Sequence, residues 1–289
     1  MKNLALILFI LIPITAFSKS PAKFIPKAIY GRDDRMDVYE SSDNLMRELS
    51  RSTAAKITNN NLSTSASGYS LSAQTLKQTG KCETERFSNQ LVAAQCSGFL
   101  VGKDLLLTAA HCIHSVVACN SHSWVFDYAN SEEERTSFNF NRDQVYRCTE
   151  IIERVYDTAT KADYALLRLD RPVVGRSPLK YRVAGRPSDD ALMTVIGNPL
   201  GLPIKITVGA DMRDNSNPVY FVTNSDTFNL NSGSAVLDSR TGIVEGILVR
   251  GGRDFMTGVN QCQSSIVYGQ NDGRGEDVVR ITIVKSLMR

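Results

Sequence analysis

CSGFLVGKDLLLTAAHC, residues 96–112, holds two short apolar runs, CSGFLV and DLLLTAA, and ends in a histidine set between small residues and a cysteine. Runs of this length, bounded by turn residues, predict strands. The same texture extends outward from it. SWVFDY, YALLRL, LMTVIG, PIKITVG, VYFVTN, SAVLD and GIVEGILV lie at short spacing between Gly, Asn and Asp. That pattern predicts an all-β chain built as an antiparallel barrel or sandwich. Residues 276–287 fit a strand or a short C-terminal helix equally, because periodicity does not separate the two in so short an apolar stretch.

Upstream the texture differs. Residues 1–18, MKNLALILFILIPITAFS, combine an early lysine, an apolar run of about a dozen residues and the small residues Ala16 and Ser18, the pattern of a secretory signal peptide. The run falls short of the ~20 apolar residues that a membrane span needs, and Pro13 interrupts it. Residues 28–80 are polar and turn-rich, with one helix-like stretch at about 42–54, and are expected to form an N-terminal arm.

Three motifs carry candidate chemistry, in the order His, Asp, Ser: TAAHC at 108–112, DYALLRL at 163–169 and NSGSAV at 231–236. A serine hydroxyl is a poor nucleophile at neutral pH. It needs a base within hydrogen-bond reach, and the base needs an acceptor to fix its tautomer. Ser232, His111 and Asp163 fit these roles. His114 and His122 are the alternative bases, Asp170 the alternative acceptor and Ser234 the alternative nucleophile.

Together these motifs resemble the trypsin/chymotrypsin-like serine peptidase superfamily, over nearly all of the chain from residue 28. The resemblance implies two six-stranded antiparallel β-barrels with the active site between them, a first barrel at about 81–172 and a second at about 173–289. It implies an endopeptidase whose triad is His111, Asp163 and Ser232, acting on protein or peptide substrates as a monomer, with no metal or organic cofactor. It also implies a disulfide between Cys96 and Cys112 bracing the histidine loop, worth roughly 3 kcal/mol by loop entropy. For Cys82, Cys119, Cys148 and Cys262 the pairings Cys119–Cys148 and Cys82–Cys262 are preferred. Six cysteines in an exported chain favour disulfides over a metal site, even though His111, Cys112, His114 and Cys119 are close in sequence. The expected location is extracellular or periplasmic.

Asn231 stands where trypsin-type enzymes carry the aspartate that pairs with a new N-terminus. NSGS and the stretch AIYGRDDRMDV at 28–38 instead resemble the V8 (glutamyl endopeptidase-like) branch. Aligning Asp34 and Arg35 with that branch implies a propeptide at 19–27, a cut after Lys27 and a mature start at Ala28. Such a chain loses four lysines and keeps 29 basic against 30 acidic residues, which argues against a nucleic-acid surface. No membrane contact is expected after signal cleavage.

Leu248 falls where the V8 enzyme keeps a histidine for its glutamate substrates, and Val249 and Gly251 follow it as expected pocket residues. Asp226, six residues before Ser232, has the offset of the carboxylate at the base of the trypsin pocket, which implies cleavage after Arg or Lys. The competing reading makes Asp226 a cap for backbone amides. GNPLGLP at 197–203 resembles a turn found in bacterial trypsin-like peptidases, and the 57 residues after Ser232 leave no room for the PDZ domain of an HtrA protein.

One departure stands out. The family places glycine at the position of Leu230, whose N–H with that of Ser232 would form the oxyanion hole. A leucine resists the required left-handed backbone. If its peptide flips, the chain becomes a slow enzyme or a pseudoprotease that binds without turnover.

Overall fold

The computed structural model describes residues 29–133, 135–258 and 261–288. The signal peptide at 1–18, the propeptide at 19–27 and the mature start at Ala28 lie outside the described residues.

The nine runs read from sequence all become strands. Six strands close into the first barrel in the order His122–Phe126, Val145–Tyr156, Asp163–Leu169, Leu105–Thr108, Ala94–Leu100 and Thr53–Thr58, the last pairing back onto the first. The second unit is an eight-stranded antiparallel sheet, in the order Met212–Asp214, Tyr220–Thr223, Glu276–Arg280, Val244–Arg250, Ala235–Asp238, Met193–Gly197, Lys205–Ala210 and Arg35–Asp37. Only Asp211 separates Lys205–Ala210 from Met212–Asp214. One bent run therefore pairs on both flanks, and the sheet rolls into the second barrel of the double-barrel fold. Arg35–Asp37 adds an edge strand outside it.

Two strands of the first barrel were hidden in the sequence. Thr53–Thr58 lies in the stretch read as an N-terminal arm, so the first barrel begins well before residue 81. Its residues Ala54, Ala55 and Lys56 are buried but carry little apolar bulk to announce a strand. Val145–Tyr156 mixes the exposed Arg147, Glu150 and Arg154 with apolar residues and is twice interrupted by a register shift, so it shows no clean period. The helix expected near 42–54 is shorter, Asn44–Ser50, and is capped by the Asp43 carboxylate on the N–H groups of Leu45 and Met46. At the C-terminus Glu276–Arg280 is a strand followed by two 3-10 turns, Ile281–Ile283 and Lys285–Leu287.

The largest apolar cluster belongs to neither barrel alone. Phe99, Leu107 and Leu166 of the first pack with Ile196, Ile206, Ile247 and Val279 of the second. This shared core sets how the barrels face each other, and hence the geometry of anything built between them. The three disulfides are Cys82–Cys262, Cys96–Cys112 and Cys119–Cys148, with Cα separations of 5.0, 6.1 and 5.2 Å. No helix among the described residues is long and apolar enough to cross a membrane.

The segment before the helix is bolted to the second barrel through a buried ion pair. Lys205 Nζ donates to Asp37 Oδ1 (2.6 Å) and Gln90 Oε1 (2.7 Å), and Gln90 Nε2 donates to Asp37 Oδ2 (2.7 Å). Asp37→Ala should leave the Lys205 ammonium buried without a counter-charge and cost about 3–5 kcal/mol. Denaturant unfolding measures this. The double change Asp37→Leu with Lys205→Met should recover most of it, because it removes both charges together.

Candidate active site

His111 sits in a 3-10 turn, Ala110–Cys112, that ends the strand Leu105–Thr108. The neighbouring strand Asp163–Leu169 is in register so that Ala165 faces Thr108, which brings Asp163 beside the turn. Asp163 is buried, and its Oδ1 accepts the His111 backbone N–H (3.1 Å) while Oδ2 lies 2.7 Å from His111 Nδ1. With Nδ1 protonated toward the carboxylate, Nε2 keeps its lone pair for a substrate-side proton. Arg154 Nε donates to the carbonyls of Ala110 (3.2 Å) and Ile113 (2.6 Å) and so holds the histidine turn from behind. Nothing in the sequence pattern pointed to Arg154.

Ser232 comes from the second barrel. Its carbonyl accepts the Ser97 N–H (2.8 Å) of the first barrel, and the Gly233 N–H donates to the Leu248 carbonyl (2.8 Å). The turn is thereby pinned between the barrels, beside the Cys96–Cys112 disulfide. Gly233 has φ +89°, and a Cβ there would fall 2.1 Å from the Ser97 carbonyl oxygen and 2.3 Å from Thr108 Oγ1. Only glycine lets the two barrels approach at this point.

The sequence alternatives separate cleanly. Ser234 is fully buried, its hydroxyl directed at the Asn231 carbonyl (2.6 Å) and 2.7 Å from Asn231 Oδ1. Asp170 accepts the Arg147 N–H and pairs with Arg171. His122 bonds Gln95 and the Ala118 carbonyl, with its pKa held below the usual value by burial first and by Lys56 second. Cys112 and Cys119 are in different disulfides, so neither offers a thiolate to a metal.

Leu230 does adopt the left-handed backbone, at φ +66°. The Asn229 carbonyl accepts the Leu200 N–H at 2.9 Å, and in a trans peptide the adjoining N–H points the opposite way. The carbonyl is thus held out of the site by the GNPLG turn, where Leu200 itself has φ +58°. Neither the Leu230 nor the Ser232 N–H is claimed by a protein acceptor among the described residues. The flipped peptide that leucine threatened is not adopted. A left-handed leucine costs about 1–2 kcal/mol, so Leu230→Gly should retain kcat, whereas the β-branched Leu230→Val should lower it by up to about 10²-fold. Steady-state kinetics with KM followed separately checks both.

A pocket of about 180 Å³ opens at Ser232, and Leu248, Val249 and Gly251 are among the residues that line it. Asp226 does not. Its oxygens accept the N–H groups of Tyr30 (2.7 Å) and Asp34 (2.8 Å), clasping the N-terminal segment, and burial pushes its carboxyl up to about 7. Asp226 turns outward to that segment, while Thr227, next to it, turns inward to the pocket.

The carboxylates that do line the pocket are Glu276 and Asp254, which the sequence reading had not singled out. The one signal for Glu276 was an acid at the head of the apolar C-terminal stretch. Arg250, at the rim, is already engaged: Nε donates to Asp277 Oδ2 (3.0 Å), Nη2 to the Lys161 carbonyl (2.9 Å), and Nη1 stands 3.9 Å from Asp163 Oδ2.

A family model for the trypsin-like peptidase domain matches residues 96–247, more than half of the chain. No curated protein matches the sequence. Among solved structures, the VesB protease of Vibrio cholerae is 14% identical with a TM-score of 0.52, over 88% of this chain and 65% of its own. A Glu endopeptidase in complex with MPD is 15% identical with a TM-score of 0.48, over 90% and 96% of the two chains. A serine endoprotease from Yersinia pestis is 13% identical with a TM-score of 0.48, over 85% and 65%. At such identities the likeness to VesB speaks for the fold alone. With residues 96–247 matched and the double barrel in place, the chain belongs to the trypsin-like serine peptidase family.

Proposed function

We propose that the chain is a secreted, monomeric serine endopeptidase that works through an acyl-enzyme. Ser232 Oγ attacks the scissile carbonyl as His111 Nε2 takes its proton, and Asp163 steadies the imidazolium that forms. The Leu230 and Ser232 N–H groups receive the oxyanion. The imidazolium then protonates the leaving amine, and water repeats the sequence on the ester. The observation that carries this reading is the His111–Asp163 bond at 2.7 Å on one barrel, with Cys112 Sγ, next in the chain, 3.6 Å from the Ser232 carbonyl oxygen on the other and the Leu230 and Ser232 N–H groups unclaimed among the described residues.

Preference for Lys or Arg before the cut is supported by a pocket with two carboxylates whose one rim cation is already paired. An acidic side chain would find two carboxyl groups and no unpaired cation on that wall, which disfavours the glutamyl alternative. Three disulfides support an oxidising compartment.

A fluorophosphonate probe tests the catalytic claim. The native protein should be labelled at Ser232 and lose its peptidase activity in proportion. Absence of labelling on a folded sample would instead favour a binding module without turnover.

A further inference from the structure

Glu276 is a buried carboxylate with little to hold it. Oε2 accepts a firm hydrogen bond from Thr227 Oγ1 (2.7 Å), but among the described residues Oε1 has only the Gly252 N–H at 3.4 Å and the Tyr30 hydroxyl at 3.5 Å. An ionised carboxyl has about four acceptor sites, so most of its capacity is open. It borders the same pocket as Ser232. A Cβ on residue 251 would fall 1.9 Å from Glu276 Oε2, so only the glycine present leaves room for the acid at that wall.

We infer that Glu276 is the specificity-determining residue, its carboxylate receiving the ammonium or guanidinium of the substrate side chain that precedes the cut. This rests on the peptidase reading above, and it assigns the role to the strand Glu276–Arg280 and not to the loop that carries Asp226. Asp254 is the second acceptor. Its Oδ2 takes the Asn229 N–H at 2.7 Å, tying the pocket wall to the peptide that precedes Leu230.

Among the described residues no cation forms an ion pair with Glu276, while Lys81 and Arg35, the latter paired with Asp33, act on Asp254 at longer range. Arg250 and Arg274 both pair with Asp277. Lys81 lies over the Phe255 ring at 4.1 Å and bonds Gln263. Tyr30, the remaining titratable neighbour, donates its hydroxyl toward Glu276 and has its pKa raised by burial, then by Glu276. A substrate cation would therefore be the missing partner of Glu276.

The arrangement carries a proton linkage. Burial pushes the Glu276 carboxyl up to about 8, with Asp254 adding to the rise, and pushes Asp254 up to about 6. In the empty pocket at pH 7 Glu276 holds its proton. An entering cation favours the carboxylate, so the proton leaves as the substrate binds. The value of kcat/KM for Arg and Lys substrates should accordingly rise with pH through about 8. Substrates with a neutral residue at that place should lack this limb.

The test uses the mature chain and fluorogenic peptides identical except for Arg, Lys, Gln or Glu before the cut. Glu276→Gln should lower the Arg:Gln ratio of kcat/KM by about 10²-fold, while Asp226→Asn should leave that ratio alone. A ratio within about threefold of the native one in Glu276→Gln, or a native preference for Gln or Glu, overturns the inference while leaving the peptidase reading intact.

A second measurement needs neither turnover nor a variant. Benzamidine titrated calorimetrically into the native protein at pH 7, in buffers of different ionisation enthalpy, should release about one proton per molecule bound. Release should vanish near pH 9.5. Failure to bind, or binding without proton release, overturns the assignment whether or not the chain cleaves peptides. Failure of fluorophosphonate labelling strikes the peptidase reading alone.

Discussion

Ser232→Ala is expected to lower kcat by about 10⁶-fold on any peptide the native enzyme cleaves, with KM little changed. In the proposed mechanism the hydroxyl forms the covalent bond, and Ser234, the only other serine in the motif, cannot take its place because it is buried and bonded to Asn231. His111→Ala should fall nearly as far. The double variant should be no slower than either single one, because base and nucleophile act in one proton transfer and removing either disables both. Active-site titration of the native sample and burst kinetics would measure these values. A double variant slower than both singles by a further large factor would show that the two side chains do not work as a unit.

Asp163→Asn should lower kcat by about 10⁴-fold without unfolding the protein. The carboxylate is buried and accepts both the backbone N–H and Nδ1 of His111. An amide of the same shape presents a donor where an acceptor is required. It would favour the tautomer with Nε2 protonated, which cannot take the proton of Ser232. Asp170→Asn is the matched control. Asp170 accepts the Arg147 N–H at the far end of the same strand, and its change should stay within about twofold. Thermal unfolding of Asp163→Asn within a few degrees of the native protein would separate lost chemistry from lost fold.

The effects proposed at Leu230 and Glu276 are smaller and of another kind. They concern how the transition state and the substrate are held, not whether the nucleophile exists. Leu230 is kept in a left-handed backbone by the Asn229–Leu200 hydrogen bond, so the strain sits in a turn braced from the neighbouring loop. Glu276 keeps a buried acid underbonded in a pocket, a cost that ligand binding would offset.

Local chemistry was legible wherever a residue's role depends on its immediate neighbours. The nine apolar runs became strands because short β-type runs between turn residues have few other ways to bury one face. The strands at Thr53–Thr58 and Val145–Tyr156 escaped notice because their burial comes from partners distant in sequence. The expected pair Cys96–Cys112 and the two preferred pairs all form, the first across only sixteen residues.

By itself the sequence determined the all-β class and the three residue types in catalytic order, because strand texture and motif order are written in consecutive residues. What lies beside the nucleophile was decided by tertiary structure alone. The direction of the peptide before Leu230 depends on Leu200, thirty residues away, which offers the N–H that holds the Asn229 carbonyl out. Asp226 has the right offset from Ser232 but the wrong face, because the N-terminal segment supplies two N–H groups that capture it. Glu276, forty-four residues past the nucleophile, reaches the pocket because its strand pairs with Val244–Arg250. A pocket is a convergence of side chains from separate segments, and offset along the chain cannot say which of them will face it.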